Sequence, residues 1–317
     1  MGILQLRDER HGEYVTDSDV EVIIVGAGPA GLSAALVLGR ACRRVRVFDH
    51  GRPRNARARA VNGYLTRDGM PPLEFLRTAR EELARYDTVR LENAEVVETH
   101  CTDGGGFAVR LQDGRRFTCR KLLVATGVTD NVPDIPGVQQ LYGRGVFHCP
   151  YCDGWERRGQ RLVVYGRGAR GHGLSMELLG WSRDVTLCSD GPCELDDDRR
   201  AQLRRNGIDV HESRVARVEA DDGRVTRVVF DTGASVGCDA LFFTTGQHQA
   251  SRFASRLGCR FNDKGTVHTG RHESTDVPGL YVAGDASRDV QWVIIAAAEG
   301  AEAAFAMAQD LIKESWK

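Results

Sequence analysis

The sequence predicts an α/β fold in which a strand–helix–strand unit occurs twice, and three features of the chain support this. An apolar run at 21–25 leads into a glycine-rich turn, a helical pattern and a second strand that ends at Asp49. The same order recurs from 161 to 188, again with a glycine-rich turn after the first strand. Each half then closes with an apolar strand followed by Thr-Gly, at 126–127 and 245–246. We therefore expect two units of the type that binds dinucleotides.

Length and composition bound the class of protein. A chain of 317 residues predicts about two domains. Its 41% hydrophobic and 27% charged residues and its 36 glycines are typical of a globular protein with many tight turns. The net charge of -1 provides no overall field for nucleic acid or an anionic membrane, and no run of 18 apolar residues occurs. We expect neither nucleic acid nor a membrane as a partner.

The N-terminal segment and the cysteines bear on the compartment. The first 20 residues are polar and mixed in charge, without the apolar core of a secretory signal. Nine cysteines, an odd number scattered along the chain, are typical of free thiols in a reducing compartment together with one reactive pair. The sequence therefore predicts a cytoplasmic protein.

Segments of alternating polarity lie between the two units and inside the second one. The runs at 107–111 and 116–123 predict a small antiparallel sheet in the first half, and 224–230 predicts its counterpart in the second. A further strand and turn at 279–285 precede an apolar helix from 293 to 311. The second half therefore repeats the design of the first in coarse form.

The first glycine-rich turn fits the pattern GxGxxG. In this pattern the first glycine permits the turn, the second lets the backbone approach a pyrophosphate and the third allows close helix packing. The helix that follows directs its N-terminus at the phosphates. Asp49 lies 23 positions after the first glycine, where a carboxylate accepts hydrogen bonds from ribose hydroxyls. The motif residues expected to bind a dinucleotide are Gly26, Gly28, Pro29, Ala30 and Gly31.

A Cys-x-x-Cys pair carries the chemistry that the sequence indicates. Cys149 and Cys152 have the spacing that allows a disulfide when the second cysteine lies in the first turn of a helix. Asp153 follows directly and can exchange a proton with a leaving thiolate. Half of a zinc site and two inert thiols are the alternatives. Zinc requires about two further ligands, and no second Cys-x-x-Cys occurs, so we expect redox chemistry and no metal.

The order of these motifs resembles one family over residues 20 to 312. GAGPAG at 26–31, Ala-Thr-Gly at 125–127, Cys-x-x-Cys-Asp-Gly at 149–154 and the late Gly-Asp pair at 284–285 look like those of bacterial low-molecular-weight thioredoxin reductases. The resemblance implies two Rossmann-like domains, each a three-layer ββα arrangement, with the second inserted into the first.

The resemblance also implies domain boundaries and an assembly. An FAD-binding domain would comprise 1–127 and 248–317, and a pyridine-nucleotide-type domain that carries the dithiol would comprise 128–247. Members of the family are usually homodimers, so a homodimer is expected here.

Individual roles follow from the resemblance position by position. Cys152 would face the flavin, Cys149 would exchange with the substrate disulfide, and Asp153 would be the acid-base. Gln291 and Trp292 stand where many members carry Arg-Gln before the final helix. The positions expected at FAD besides the glycine turn and Asp49 are Asn62, Gly127, Gly284, Asp285, Gln291 and Trp292.

The second glycine-rich turn departs from the family. NADPH-dependent members have a His-Arg-Arg cluster after the second strand of the inserted domain, whereas this chain has Asp190 there, and a carboxylate repels a phosphate. The sequence therefore argues against NADPH and leaves NADH, a second FAD or an unused fold open. The candidate residues for a second nucleotide are Gly166, Arg167, Gly168, Arg170, Gly171 and Asp190.

A basic stretch follows the first unit. Arg52, Arg54, Arg57 and Arg59 alternate with other residues, and they suit the phosphate end of FAD, a docking surface for an acidic partner or a solvated loop. The sequence does not choose between these interpretations.

The function predicted from the sequence is that of an FAD-dependent thiol-disulfide oxidoreductase. Electrons would pass between the flavin, the Cys149/Cys152 dithiol and an external disulfide or dithiol, either a thioredoxin-like protein or a small molecule. The alternatives are an O2-dependent dithiol oxidase, a two-flavin enzyme with a second FAD and a donor other than NADPH, and a flavin-bound redox sensor that is not an enzyme.

Overall fold

A computed structural model describes residues 20–316 of the chain. The prediction that the first 20 residues are not a secretory signal concerns Val20 and residues 1–19, and the latter lie outside the described residues. The described chain divides into two compact units. The first comprises the residues up to Arg54, Leu76–Thr129 and those from Gln249 onwards, and the second comprises Asn55–Phe75 and Asp130–His248.

A parallel five-stranded sheet forms the centre of the first unit. Its strands, in spatial order, are β18 (Leu280–Val282), β7 (Lys121–Val124), β1 (Val22–Val25), β2 (Val45–Asp49) and β3 (Val89–Asn93). All four residues of β1 are buried, as expected for a strand covered on both faces. The position of this strand in the middle of the sheet explains its continuous apolar run.

The first unit also contains an antiparallel sheet and helices. A three-stranded antiparallel sheet consists of β4 (Val96–Cys101), β5 (Phe107–Leu111) and β6 (Arg116–Cys119). The helices are α1 (Pro29–Arg40), α7 (Phe253–Arg256) and α8 (Val293–Glu314), with a 3-10 turn at Arg271–Glu273. Helix α2 (Pro72–Leu83) belongs to this unit from Leu76 onwards. Helices α1 and α8 approach closely, because a Cβ on Gly300 would lie 1.9 Å from the Ala30 carbonyl oxygen.

The second unit repeats the topology of the first. Its parallel sheet has the order β12 (Asp209–His211), β11 (Val185–Cys188), β10 (Leu162–Tyr165), β16 (Ala240–Phe243) and β9 (Val146–Phe147). Its antiparallel sheet consists of β13 (Val215–Asp221), β14 (Arg224–Phe230) and β15 (Ser235–Gly237). Its helices are α3 (Val138–Leu141), α4 (Pro150–Asp153), α5 (Gly168–Leu178) and α6 (Asp197–Arg205), with a 3-10 turn at Trp155–Arg157.

The internal repeat predicted from the sequence is confirmed by this topology. Strands β1 and β10 are central in their sheets, and each is followed by a glycine-rich turn and a helix. The chain passes between the units within β8 (Val128–Asp130) and β17 (Gln247–Gln249). The expected α/β class is also confirmed, whereas the boundaries at 127/128 and 247/248 stay predictions.

Two element predictions were wrong in detail. The alternating run at 116–123 is two strands, because the amides of Arg120 and Lys121 turn to the Glu21 carbonyl and carry the chain into the parallel sheet. In the second unit the apolar periodicity begins at Leu174 and predicts a helix start there, whereas α5 begins at Gly168. The first turn of α5 contains two glycines and Arg170, so the apolar periodicity starts later than the helix does.

Within residues 20–316, no helix combines the length and the apolar character that crossing a membrane would require.

Candidate functional site

The first glycine-rich turn connects β1 to α1. Gly26 has φ +103°, and a Cβ there would lie 2.4 Å from the Ala125 carbonyl oxygen, so the turn requires glycine. A Cβ on Gly31 would lie 1.9 Å from the Gly26 carbonyl oxygen, whereas a Cβ on Gly28 would meet nothing within 4 Å. Gly28 therefore faces open space at the start of the helix. Pro29 occupies the first helical position, and no side chain caps this end.

This end of the helix suits a diphosphate. The first N–H groups of a helix have no partner within the helix, and the aligned peptide dipoles favour a negative charge there. The open side of Gly28 gives such a charge access to the backbone. The turn at Gly26 and the close packing at Gly31 are those that the pattern requires, and the approach of a pyrophosphate to Gly28 stays a prediction.

Asp49 ends β2 beside this turn. Its Oδ1 accepts from the Ala27 N–H at 3.1 Å and its Oδ2 accepts from Arg80 Nη2 at 2.6 Å. A carboxylate has about four acceptor positions, so two remain for ribose hydroxyls. The prediction for Asp49 is therefore compatible with its surroundings, and Arg80 is a neighbour that the sequence did not suggest.

A second cluster in the first unit is built on the Gly-Asp pair after β18. Gly284 has φ +83°, and Asp285 forms an ion pair of 2.9 Å with Arg54. The same Arg54 nitrogen donates to Gln291 Oε1 at 2.7 Å, and Gln291 Nε2 donates to the Asp285 carbonyl at 3.2 Å. A Cβ on Gly127 would lie 4.0 Å from the Asp285 Cβ. Asp285 and Gln291 thus share Arg54, and Gly127 and Gly284 lie next to Asp285.

Trp292 precedes α8 and is its N-cap residue, with extended backbone and no side-chain capping bond. The 22-residue helix therefore begins directly after the Gln291 side chain that contacts Arg54 and the Asp285 backbone. A helix of this length favours a negative charge at its N-terminus.

A buried acidic network behind Gly284 was missed by the sequence analysis. Glu299 Oε2 accepts from the Gly284 N–H at 2.7 Å, Glu299 Oε1 accepts from Arg288 at 2.7 Å, and Arg288 also pairs with Glu273. Burial raises the pKa of Glu299 to about 7, with Glu273 adding to the rise and Gly284 and Arg288 opposing it. Glu299 is the first charged residue in the apolar run of α8, and this is the signal that could have revealed the network. Glu299 fixes the turn that presents Asp285.

The dithiol lies in the second unit at the start of α4. Cys149 and Cys152 form a disulfide with a Cα–Cα distance of 5.3 Å. Cys149 is the N-cap residue of α4, and its Sγ accepts from the Cys152 N–H at 3.2 Å. An N–H donor stabilises the thiolate form, so the reduced pair has an activated sulfur at Cys149. This contact agrees with Cys149 as the attacking thiolate.

Asp153 directly follows the dithiol as the last residue of α4. Burial raises the pKa of its carboxyl group to about 7, and Glu156 adds to the rise while Arg157 opposes it. A carboxyl group with such a pKa is present in both protonation states near neutral pH, which is what an acid-base requires. The surroundings of Asp153 therefore suit the role predicted for it.

Two polar groups of the second unit hold the segment that carries the dithiol. Asn62 Nδ2 donates to the Cys152 carbonyl oxygen at 2.8 Å. His148 Nδ1 lies 3.0 Å from the Tyr142 hydroxyl, which donates to Asp130 Oδ2 at 2.6 Å. The predicted flavin contact of Asn62 stays a prediction, and its observed contact is with the backbone of the dithiol.

The second glycine-rich turn connects β10 to α5 and has different surroundings. The N–H of Gly168, which has φ +58°, donates to the Cys193 carbonyl oxygen at 2.9 Å. A Cβ on Gly168 would lie 4.0 Å from a Glu194 carboxylate oxygen. The segment that follows β11 therefore covers the turn with its own carbonyl and carboxylate. Gly166 and Gly171 pack against each other beneath it, at 3.1 Å from a Cβ on Gly166 to the Gly171 Cα.

Arg167 ties this covering segment to the turn. Its guanidinium donates to the carbonyl oxygens of Ser189, at 3.1 Å, and of Asp190, and it lies 3.4 Å from the Glu194 carboxylate. The Cys193 N–H in turn donates to Glu212 at 2.8 Å, a bond that leads the causes lowering the pKa of Glu212 to about 2. The covering segment is thus held at several points.

Each carboxylate oxygen of Asp190 accepts one hydrogen bond within the protein. Its Oδ2 accepts from the Tyr165 hydroxyl at 2.9 Å and its Oδ1 accepts from the Val215 N–H at 2.8 Å, with φ at +54°. Arg170 lies on α5, and its nearest guanidinium nitrogen would be 3.3 Å from a Cβ on Gly246. Asp190 and Arg170 therefore do not provide the cluster of basic side chains that holds a 2'-phosphate.

Among the described residues, no group of histidine, cysteine and acidic side chains is arranged to hold a metal ion. Of the cysteines outside the dithiol, Cys42 and Cys101 are exposed and the other five are buried.

These sites define the class of protein. An open glycine-rich turn with an acid after the second strand, and a Cys-x-x-Cys disulfide followed by a carboxyl group of raised pKa, are the parts of a flavin-dependent disulfide oxidoreductase.

Comparison with known proteins gives the family. The model of the family described as pyridine nucleotide-disulphide oxidoreductase matches residues 20–301, and the chain belongs to this family. It is 32% identical over 284 residues to thioredoxin reductase tcpT of Claviceps purpurea, an alignment that covers 85% of this chain and 87% of the relative.

Two solved structures are similar over nearly their whole length. The thioredoxin reductase TrxB of Bacillus anthracis matches with a TM-score of 0.88 and 30% identity, covering 93% of this chain and 99% of that one. A protein named HlmI matches with a TM-score of 0.90 and 35% identity, covering 96% of each chain. The chain is thus a thioredoxin reductase-like flavoprotein with two Rossmann-like units.

Family membership implies FAD and a pyridine nucleotide, and the two turns fit these cofactors unequally. The first turn leaves Gly28 open to a diphosphate, Asp49 contacts the turn at Ala27, and a Cβ on Gly284 would lie 3.1 Å from the Ala30 Cβ. The second turn has its Gly168 N–H bonded within the protein and a carboxylate next to it. The first turn fits FAD, and the second, as it stands, does not fit a nucleotide diphosphate.

Proposed function

We propose that this protein is an FAD-dependent thiol-disulfide oxidoreductase in which electrons pass between the flavin, the Cys149/Cys152 dithiol and an external disulfide or dithiol. The observation that carries the proposal is the Cys149–Cys152 disulfide followed directly by Asp153, whose pKa is raised to about 7. FAD, when bound at the first turn, supplies a two-electron carrier.

The exchange follows from the side chains of the second unit. The Cys149 thiolate attacks one sulfur of an external disulfide, a mixed disulfide forms, and the departing thiolate takes the proton of Asp153. The Cys152 thiolate then attacks Cys149, which restores the internal disulfide and releases the second thiol. An external dithiol runs the same steps backwards and leaves two electrons on the protein dithiol.

We further propose that NADPH is not the electron donor. Support comes from Glu194 beside the second turn, from the bonded N–H of Gly168 and from Asp190 in place of a basic cluster. Glu194 and the bonded N–H of Gly168 also oppose a second FAD or NADH, because these nucleotides contain a diphosphate, whereas the missing basic cluster bears on NADPH alone. The source of electrons is then a dithiol substrate or a protein donor.

A second candidate is an O2-dependent dithiol oxidase, and the covered second turn favours it. With no nucleotide at that turn, an external dithiol can supply two electrons and two protons, which pass through the dithiol and the flavin to oxygen. The products are the substrate disulfide and hydrogen peroxide. The relatives named thioredoxin reductases support the opposite direction, with a thioredoxin-like protein as the disulfide.

Two further proposals concern assembly and compartment. The likeness to thioredoxin reductases supports a homodimer, which light scattering after gel filtration tests by molar mass. The seven free cysteines support a reducing compartment such as the cytoplasm, which fractionation of the producing cells tests.

Serine variants of the two cysteines test the proposed dithiol. With bis(2-hydroxyethyl) disulfide, the Cys152→Ser protein should retain a mixed disulfide on Cys149, visible by mass spectrometry, because no second thiolate is present to resolve it. Cys149→Ser should accumulate far less, and both should lose turnover. Cys42→Ser is the matched control, since Cys42 is an exposed free thiol, and it should retain full turnover.

Two results would contradict the roles proposed for the cysteines. Turnover that survives in both active-site variants would show that other groups carry the electrons. A mixed disulfide that forms on Cys152 and not on Cys149 would reverse the two roles.

A further inference from the structure

A groove of about 690 Å³ lies in the second unit between two segments of the chain. One segment, 56–59, contributes Arg57 and Arg59, and the other, 139–144, contributes Gln139, Tyr142 and Arg144. Small-molecule sites in proteins commonly have volumes of roughly 300–1,000 Å³. The groove is therefore large enough for a small molecule.

The charged side chains that line this groove are all positive. All three arginines are exposed, and none of the described residues that line the groove is acidic. Arg57 donates to the Gln139 carbonyl oxygen at 2.6 Å, and among the described residues no carboxylate forms an ion pair with Arg57, Arg59 or Arg144. Many other arginines of this chain do pair with acids, as Arg161 does with Asp239 at 2.8 Å. Three uncompensated guanidinium groups around one groove favour an anion.

The elements that form the groove also hold the dithiol. Tyr142 lines the groove, and its hydroxyl contacts His148, the residue before Cys149. Asn62, three positions after Arg59, donates to the Cys152 carbonyl. Three residues of chain span at most about 10 Å, so the Arg59 backbone lies within reach of the dithiol segment.

Arg157 links the groove to the acid-base. It donates to the Arg144 carbonyl oxygen at 3.0 Å. Burial lowers the pKa of Arg157, the charge of Arg59 lowers it further, and Asp153 opposes the decrease. The charge of Arg59 and the carboxyl group of Asp153 are therefore both neighbours of one guanidinium.

We propose that this groove binds the anionic group of a small-molecule disulfide or dithiol whose sulfur atoms exchange with Cys149. The inference rests on the proposed function and adds the substrate class to it. Arg57, Arg59 and Arg144 bind a carboxylate of the substrate while its disulfide lies at the dithiol. In the exchange the Cys149 thiolate forms a bond to one substrate sulfur, the substrate S–S bond breaks, and the leaving thiolate takes the Asp153 proton. The Asp153 carboxylate then takes the Cys152 proton, the Cys152 thiolate attacks Cys149 and breaks the mixed disulfide, and Asp153 returns the proton to the second substrate thiolate. The protein dithiol is oxidised as the substrate is reduced.

Two disulfides with the same sulfur chemistry test this inference. The flavoprotein, reduced anaerobically with dithionite, is mixed with glutathione disulfide or with its tetraethyl ester, and the return of flavin absorbance gives a second-order rate for each. At low salt the carboxylate form should react about 10-fold faster than the ester, because opposite charges accelerate association. This ratio should decrease as salt is added.

Variants assign the preference to the groove. The ratio should decrease about 5- to 10-fold in the Arg57→Gln/Arg59→Gln protein, as expected for two largely exposed charges. It should be retained in Arg57→Lys/Arg59→Lys, which preserves the charge, and in Arg205→Gln, which removes an exposed arginine from the end of α6. Calorimetric binding of glutathione disulfide to the oxidised protein, in which no electron moves, should weaken in the same variants.

The outcomes distinguish a wrong assignment of the groove from a wrong assignment of the function. Equal rates for acid and ester, or an equal loss in Arg205→Gln, would overturn the groove while leaving the dithiol chemistry intact. Failure of every disulfide to reoxidise the reduced protein would overturn the proposed function itself.

Discussion

The two glycine-rich turns of this chain share one spacing and differ in what surrounds them. At the first, a Cβ on Gly28 would meet nothing within 4 Å, and Arg54 lies by Asp285 in the same unit. At the second, the Gly168 N–H is bonded to the Cys193 carbonyl, and Glu194 lies alongside. Glycine spacing thus sets the path of the backbone, whereas neighbouring segments decide whether a diphosphate can approach it.

The units also differ in where their chemistry lies. The first unit has an open cofactor turn, while the second has the dithiol and a covered turn. The segment before the first strand of the second unit holds the dithiol through α4 and Asn62 and not through the glycines, so the dithiol does not depend on a nucleotide at the second turn.

The largest expected effect comes from the same substitution at the two turns. Gly28→Ala places a methyl group where the diphosphate would approach, and FAD affinity should decrease about 100-fold, a difference of about 3 kcal/mol. Gly168→Ala should leave the FAD content unchanged and lower stability by about 1 kcal/mol, because its φ of +58° disfavours a side chain. Flavin per chain after gel filtration measures both. Equal flavin loss in the two variants would remove the distinction between the turns.

Asp153→Asn tests whether the second unit acts through its dithiol. Exchange should slow by about 100-fold, because the departing thiolate no longer receives a proton. The raised pKa means that Asp153 is protonated below about 7 and loses its proton above it. The advantage of the unmodified protein over the variant should therefore shrink as pH rises through 7, as single-turnover rates would show. A constant advantage across this range would exclude the acid role.

Glu299→Gln tests the support of the Asp285 turn in the first unit. In the folded protein the pKa of Glu299 is about 7, above its ordinary value of 4.5, so folding favours the protonated form of this carboxyl group. Its stabilising contribution is complete below about pH 4.5 and is lost as pH rises through 7, which amounts to about 1–3 kcal/mol. Chemical denaturation should show the variant gaining relative stability as pH rises. A difference in unfolding free energy that does not vary with pH would contradict the assigned pKa.

The smallest effect concerns the covered turn. Glu194→Gln removes one largely exposed charge, so ADP-ribose affinity should increase only about 2- to 5-fold. The matched control Asp222→Asn removes an exposed charge from the hairpin between β13 and β14 and should change nothing. Calorimetric titration compares the three proteins. An equal gain in the control would indicate a general charge effect.

Local patterns predicted most of the fold. The glycine turn after β1, Asp49 at the end of β2 and the Cys149–Cys152 pair each depend on residues within one segment, and such signals are visible in a single sequence. The repeated topology could be predicted because two segments share the order of strand, glycine-rich turn, helix and strand. The predicted start of a helix was wrong where its first residues are not apolar, as in α5.

Long-range contacts could not be predicted in this way. Glu299 meets Gly284, and Cys193 covers Gly168, across 15 and 25 positions respectively. The basic stretch is a further example, because Arg54 pairs with Asp285 whereas Arg57 and Arg59 line a groove. One run of alternating arginines therefore has two roles, and only the folded contacts separate them.

Anaerobic reduction of the flavin tests the central claim most directly, namely that electrons reach FAD through the dithiol and not through the second turn. We predict that dithiothreitol bleaches the visible flavin absorbance of the unmodified protein, that NADPH at the same concentration does not, and that Cys152→Ser abolishes the response to dithiothreitol. Rapid bleaching by NADPH, or bleaching by dithiothreitol that survives in Cys152→Ser, would contradict this account.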